Sequence, residues 1–311
     1  MQTWSVQGVE TQTRAESWSP AIPQEAVDAA KLLSCWVLCV VPAVLSTSHQ
    51  YTWSLLIFVA PLGLTSHALY RRGTLATLWK PLTLALSLLV PMGAVLTVGL
   101  ADDFFVYPTT SATLGVTIPA FDLTGVDHAF QIPIEELAFY VLGFASLLLL
   151  YAWADEVLVP RPRALGRRLD VSLPEFLVAL AGGVSLCVAG WAVQRVANPT
   201  ATAPGYWMYL MLVPLPVMVA YGPAVAHRIN WSALVLVCLA LWGHSILWEV
   251  TLAIPQGWWG YQRASMLGLE VAAWHRLPLE AVLVWLMTPL ATIITYETLR
   301  ARLAFVSRRS P

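Results

Sequence analysis

The sequence predicts an all-α integral membrane protein, with about eight transmembrane helices as two parallel four-helix repeats. Three observations predict it: an apolar composition, an uneven distribution of Lys and Arg, and one short motif that recurs in both halves. Hydrophobic residues make up 58% of the 311 residues and charged residues only 11%, where a soluble domain carries about 25% charged residues. The net charge of −1 leaves no basic footprint for nucleic acid, so no nucleic-acid partner is expected.

A span needs about 20 apolar residues. Runs at 31–48, 51–70, 80–100, 133–154, 174–194, 206–226, 231–253 and 279–299 meet or approach that length. The first is short and its boundary with the second is tight, so seven spans is the alternative count. Residues 1–30 read as a cytoplasmic lead-in, polar at first and without the apolar core of a secretory signal. With the N-terminus in the cytoplasm, 14 of the 17 Lys and Arg fall on the inner side. Four of them crowd the linker, Arg161, Arg163, Arg167 and Arg168. Only Arg195, Arg263 and Arg276 lie outside. This positive-inside split predicts a cell (inner) membrane protein with both termini cytoplasmic.

The repeat is carried by "IPIEELAFYVLGF" from Ile132 and "LPLEAVLVWLMTP" from Leu277. Pro133 and Pro278 stand 145 residues apart, and each follows an acidic residue near the end of the preceding span, Asp102 or Glu249. The halves are then residues 31–160 and 174–300, joined by a basic cytoplasmic linker at 161–173 and followed by a cytoplasmic tail at 301–311. Four spans return the chain to its starting side. The halves are therefore parallel, with their Pro-x-Glu motifs at one depth on the outer face.

Pro and Glu in a first turn are ordinary helix starts. Pro174-Glu175 opens a span in the same way on the cytoplasmic side. Glu135, Glu136 and Glu280 are set apart by their recurrence at equivalent places and by the repulsion of two adjacent glutamates. Glu249 lies inside an apolar run, where a strongly polar residue costs roughly 2.5–3.5 kcal/mol. The expectation is that Glu135, Glu136 and Glu280 converge on one cavity, with Asp102 and Glu249 near its outer rim. Such a site suits proton donation followed by proton removal. The aromatic companions are Tyr107, Trp248, Trp258, Trp259 and Tyr261. Their faces stabilise a cation by about 0.5–2 kcal/mol each, although an interfacial aromatic belt explains Trp258 and Trp259 equally well. Acid, base and aromatic wall together fit protonation of an alkene, ring closure through a carbocation, and loss of a proton. No metal site is expected, since the six histidines are not at ligand spacing. No phosphate or dinucleotide fingerprint is present, and no cofactor is expected. Four cysteines inside apolar runs give no C-x-x-C.

The pair "PIEELAFY" and "LPLEAVLVW", each closing a repeat of spans, resembles the membrane-integral lycopene cyclase domain family in its fused two-repeat form. In the second half, "WEVTLAIPQGWWGYQRASMLGLEVAAWHRLPLEAVLVW" from Trp248 follows the family order: an acidic residue (Glu249), an aromatic motif (Trp258 or Trp259 with Tyr261), a glycine (Gly268), then Pro278-Leu279-Glu280. In the first half, "DDFFVY" from Asp102 and Pro133-Ile134-Glu135-Glu136 match its start and end. Ala281 replaces the second glutamate of the family's P-x-E-E, and "PTTSATLG" stands in the first half where an aromatic motif belongs. The resemblance implies a terpenoid or carotenoid cyclase, an intramolecular lyase or isomerase. Its reaction would be a non-redox, proton-initiated cyclisation of a long polyprenoid drawn from the bilayer, without metal or cofactor. A transporter or scaffold without catalysis is the alternative. An intramembrane CAAX-type protease fits less well, because Tyr140 stands where that pattern needs Arg.

Overall fold

The structure, a computed structural model, describes residues 23–108, 110–119, 131–160, part of 174–193, and 205–307. For 95–103, 110, 119 and 305–307 it describes the backbone alone. The lead-in before residue 23, the linker at 161–173 and the end of the tail lie outside the described residues.

In hydrocarbon every backbone polar group must be satisfied within the chain, and a helix does this locally. The described residues accordingly form long apolar helices: α1 (Gln24–Leu45), α2 (Gln50–Ser54) continuing into α3 (Leu56–Arg71), α4 (Leu75–Phe104) and α5 (Ile134–Trp153). After the linker come α6 (Gly205–Leu212), α7 (Pro214–Val225), α8 (Trp231–Trp248) and α9 (Leu279–Ser307). Seven spans among the described residues are long and apolar enough to cross a membrane. They match seven of the eight expected runs. The remaining run, 174–194, is described only in part, and its described residues are helical. Residues 24–30, read from the sequence as lead-in, belong to α1 and are continuous with the first span. Large apolar side chains such as Val37, Leu45, Val178 and Leu239 are exposed, as lipid-facing positions should be.

α5 and α9 are the central helices. α5 packs on α3, α4, α8 and α9, and α9 packs on α4, α6, α7 and α8. Their spans are the most buried of the seven. Two spans end in a π-helical turn, 154–158 after α5 and 249–253 after α8. α6 and α7 form one span broken at Val213, where Pro214 lacks the N–H that would continue the ladder.

The loops on the α5/α9 N-terminal side carry three small antiparallel pairs that hydropathy did not reveal. β1 (Phe105–Val106) pairs with β4 (Gly260–Tyr261), joining the loop before α5 to the loop before α9. β2 (Thr117–Pro119) pairs with β3 (Gln131–Pro133), and β5 (Glu270–Val271) with β6 (Leu277–Pro278). Each of the last two pairs ends on the proline that opens a central helix.

The opposite end of the bundle is held by charge. Arg300 reaches Asp155 at 3.2 Å, Glu156 at 2.8 Å and Glu297 at 3.5 Å. Asn230, which caps α8, donates to the other Asp155 oxygen at 3.1 Å, and Tyr151 donates to Glu297 at 3.2 Å. Asp155 and Arg300 stand 145 residues apart, the spacing of the two Pro-x-Glu motifs. On the α1–α3 edge, Arg71 pairs with Asp28 at 3.0 Å and Arg72 with Glu25. Asp155 and Glu297 are both 5% exposed, so removing Arg300 takes a cation away from two buried carboxylates. Arg300→Ala is expected to lower stability by about 3–5 kcal/mol, read as a fall in the thermal unfolding midpoint in detergent. An unchanged midpoint contradicts that role.

Candidate functional site

The N-terminal turns of α5 and α9 are built alike. In the first, Glu135 Oε1 accepts the Leu114 N–H at 2.7 Å, and in the second, Glu280 Oε1 accepts the Leu267 N–H at 2.5 Å. Each leucine precedes a glycine with positive φ, Gly115 at 74° and Gly268 at 80°. A side chain at either glycine is strained, because that backbone region crowds a Cβ. Two residues further in, the backbone closes with Ile134 N–H to Val116 C=O and Leu279 N–H to Leu269 C=O, both at 2.9 Å. Glu135 Oε1 also accepts the Thr52 hydroxyl at 2.5 Å, which ties the α2 turn to α5. Both carboxylates are buried, and their first work is to fasten a loop to a helix N-terminus.

Glu136 and Glu249 are placed differently. Both are buried and both line one cavity of about 160 Å³. Glu135 and Glu280 stand outside its lining. Tyr51 donates to Glu136 Oε1 at 2.6 Å, and Tyr107 also bears on this carboxylate. Tyr261 donates to Glu249 Oε1 at 2.6 Å, while Oε2 is buried with no partner among the described residues. Trp259 and Trp285 lie beside the same carboxylate. Burial, then Glu136, pushes the Tyr107 phenol well above its usual range. Burial, then Glu249, does the same to Tyr261. Both phenols therefore stay protonated, and Tyr261 is a fixed donor to Glu249.

Aromatic rings join the two carboxylates. Tyr51 lies 5.0 Å from Trp259, Trp259 4.6 Å from Trp248, Trp248 6.1 Å from Phe139, and Phe139 5.7 Å from Trp285. Phe105 packs 5.6 Å from Tyr261. Trp258 is 1% exposed and packs on Tyr51 from outside the cavity lining. Asp102 sits in the last turn of α4, where only the backbone is described. Of the expected convergence, the structure brings Glu136 and Glu249 to one cavity, with Trp248, Trp259 and Tyr261, and leaves Glu135 and Glu280 at the loops. Among the described residues no three His, Cys, Asp or Glu are grouped to hold a metal.

Sequence reasoning did not single out Tyr51, Thr52 or Tyr206, which belong to apolar runs without a motif, nor Phe139, although it lies within the quoted Pro-x-Glu motif. It also passed over the Leu114-Gly115 and Leu267-Gly268 recurrence as a fastening device, although the dipeptide was there to be read. The fold and site together define an all-α integral membrane protein with two buried carboxylates on one aromatic-walled cavity. No family model, curated protein or solved structure matches the chain.

Glu280→Ala leaves the Leu267 N–H without its acceptor, a loss of about 1–3 kcal/mol, whereas Glu280→Gln keeps an acceptor oxygen. Hydrogen exchange at the Leu267 amide should accelerate in the Ala variant and stay slow in the Gln variant. Equal protection in both would show that the carboxylate does not hold the loop.

Proposed function

We propose that this protein cyclises or isomerises the end of a long polyprenoid, a lycopene-like carotenoid or another terpene, within the membrane and without redox change. The observation that carries the reading is the placement of Glu136 and Glu249 on one apolar, aromatic-walled cavity. The resemblance of the Pro-x-Glu repeats to lycopene cyclase domains supports the same reading. An apolar cavity of about 150 Å³ takes a benzene-sized group, so this site holds a terminal part of a polyprenoid and not the whole molecule.

In this mechanism Glu249, whose Oε2 has no hydrogen-bond partner among the described residues, is the acid. Its proton adds to one carbon of a terminal double bond, leaving a carbocation at the other. Trp248, Trp259 and Trp285 offer π faces to that charge. A second double bond attacks it and closes the ring, and Glu136 takes a proton from the carbon next to the new cation, forming the product alkene. Return of that proton to Glu249 resets the site. Glu135 and Glu280 act as positioning residues, holding the loops that carry Tyr107 and Tyr261.

The architecture we infer is eight spans in two parallel repeats, with both termini cytoplasmic. The matched Leu-Gly fastenings, the pairing of β1 with β4 and the 145-residue relation of Asp155 to Arg300 support the repeat. The 14:3 charge split supports the orientation. A reporter fused after Pro311 is expected to be active in the cytoplasm, and periplasmic activity would overturn the orientation.

Glu136→Gln and Glu249→Gln are expected to lower product formation by about 10²–10⁴-fold, the usual worth of a general acid or base, with folding retained. Glu135→Gln and Glu280→Gln, which keep an acceptor for the loop amides, should retain most activity, as should Glu175→Gln on the exposed start of another span. The assay is a lipid extract of a lycopene-producing host expressing each variant. Product formed in D₂O should carry deuterium at the carbon protonated first. Full activity in both the Glu136 and Glu249 variants, or product without deuterium, would sink the mechanism.

The break at Val213–Pro214 lies on the cavity wall, and broken helices at a midplane site belong to transporters. That observation favours transport of a lipid-soluble molecule as a second reading. Movement of an unchanged terpenoid between leaflets, independent of Glu249, would select it.

A further inference from the structure

The cavity extends far beyond the two carboxylates. On α5 its wall is a helical stripe, Glu136, Phe139, Tyr140, Gly143, Phe144 and Leu147. On α9 the matching stripe runs from Val284 to Thr295 through Thr288 and Thr292. Each stripe covers eleven residue steps, about 16 Å of helix at 1.5 Å per residue. A small volume spread over that length is a narrow slot. One end carries Glu136 and Glu249, and the inner part is lined by hydrocarbon and threonine side chains.

Gly143 stands partway along the slot, and a Cβ built there meets nothing within 4 Å. The space beside it is therefore not filled by the protein. Across the two stripes, Thr288 is its counterpart at the 145-residue spacing. Its hydroxyl is buried with no partner among the described residues. A glycine in a helix interior costs stability relative to alanine, so the gap is held open at a cost.

We propose that the inner slot seats a linear prenyl segment, with the reactive end at Glu136 and Glu249, and that Gly143 sets how much chain enters. This deepens the cyclase reading and rests on it for the identity of the reactive end. Binding of the chain itself does not depend on catalysis. A long prenyl chain gains burial along the slot, and a short one leaves its inner part unused. Gly143→Leu places a branched side chain in the gap and shortens the usable slot, while Glu136 and Glu249 keep their surroundings.

The experiment is displacement of retinol, whose polyene accepts excitation from the cavity tryptophans, by geraniol and by geranylgeraniol in lipid nanodiscs. Wild type and Glu136→Gln are expected to bind geranylgeraniol more tightly than geraniol. Gly143→Leu should weaken geranylgeraniol by about tenfold or more, the burial of roughly two methylene groups, and leave geraniol unchanged. Thr288→Leu fills the slot from the facing helix and is expected to act the same way, which keeps the test decisive should Gly143→Leu fail to fold. Equal affinity of the two alcohols for wild type, or an undiminished preference for the longer one in a folded slot variant, overturns the proposal. Failure of the cyclase reading shows separately, as intact chain-length preference in binding with no deuterium-labelled product.

Discussion

A carboxylate buried among apolar helices must be given donors, and much of this structure answers that requirement. Glu135 takes a backbone amide and a threonine, Glu280 a backbone amide, Glu136 the Tyr51 phenol and Glu249 the Tyr261 phenol. Two of these five donors are distant in sequence from the group they serve. Tyr51 lies 85 residues from Glu136, and Thr52 lies 83 from Glu135. Folding the acids into the bundle therefore obliges loops and distant helices to gather around them. An unsatisfied buried polar group costs about 1–3 kcal/mol and more when charged, which makes this gathering a strong constraint on topology.

The same constraint divides the carboxylates by role. A glutamate at the helix start turned toward the loop finds backbone amides, which are fixed in place and bind it as a fastener. Its neighbour one residue on points about 100° around the helix and meets side chains and a cavity instead. Glu135 and Glu136 illustrate the division within one turn. In the second half Ala281 follows Glu280, so the fastener is kept and the cavity-facing carboxylate comes from Glu249 on the preceding span. The two halves thus contribute one cavity carboxylate each, from different helices.

The far end of the bundle obeys a related rule with opposite means. Asp155 and Glu156, just past the end of α5, meet Glu297 in the C-terminal half of α9, and Arg300 lies within reach of all three. This network ties the C-terminal parts of the two central helices together. The fastened loops hold their N-terminal ends. The slot between them is consequently framed by two rigid boundaries, and its middle, at Gly143 and Thr288, is where the packing is left open.

Hydropathy alone was enough to read the membrane class and seven of the spans, because twenty apolar residues in a row have no comfortable place in water. The spacing of Pro133 and Pro278 and the charge of the loops were equally open to inspection. Covalent neighbours carry such information directly. What tertiary structure decided was which carboxylates share a cavity. Glu135 and Glu136 are adjacent in sequence, yet one faces Leu114 and the other faces Tyr51, a distinction set by helix rotation and by partners brought from elsewhere. The pairing of Phe105 with Tyr261, the partnership of Asp155 with Arg300 and the open space at Gly143 are decided in the same way. They are contacts and gaps between segments that only packing brings face to face, and no local pattern of residue types encodes them.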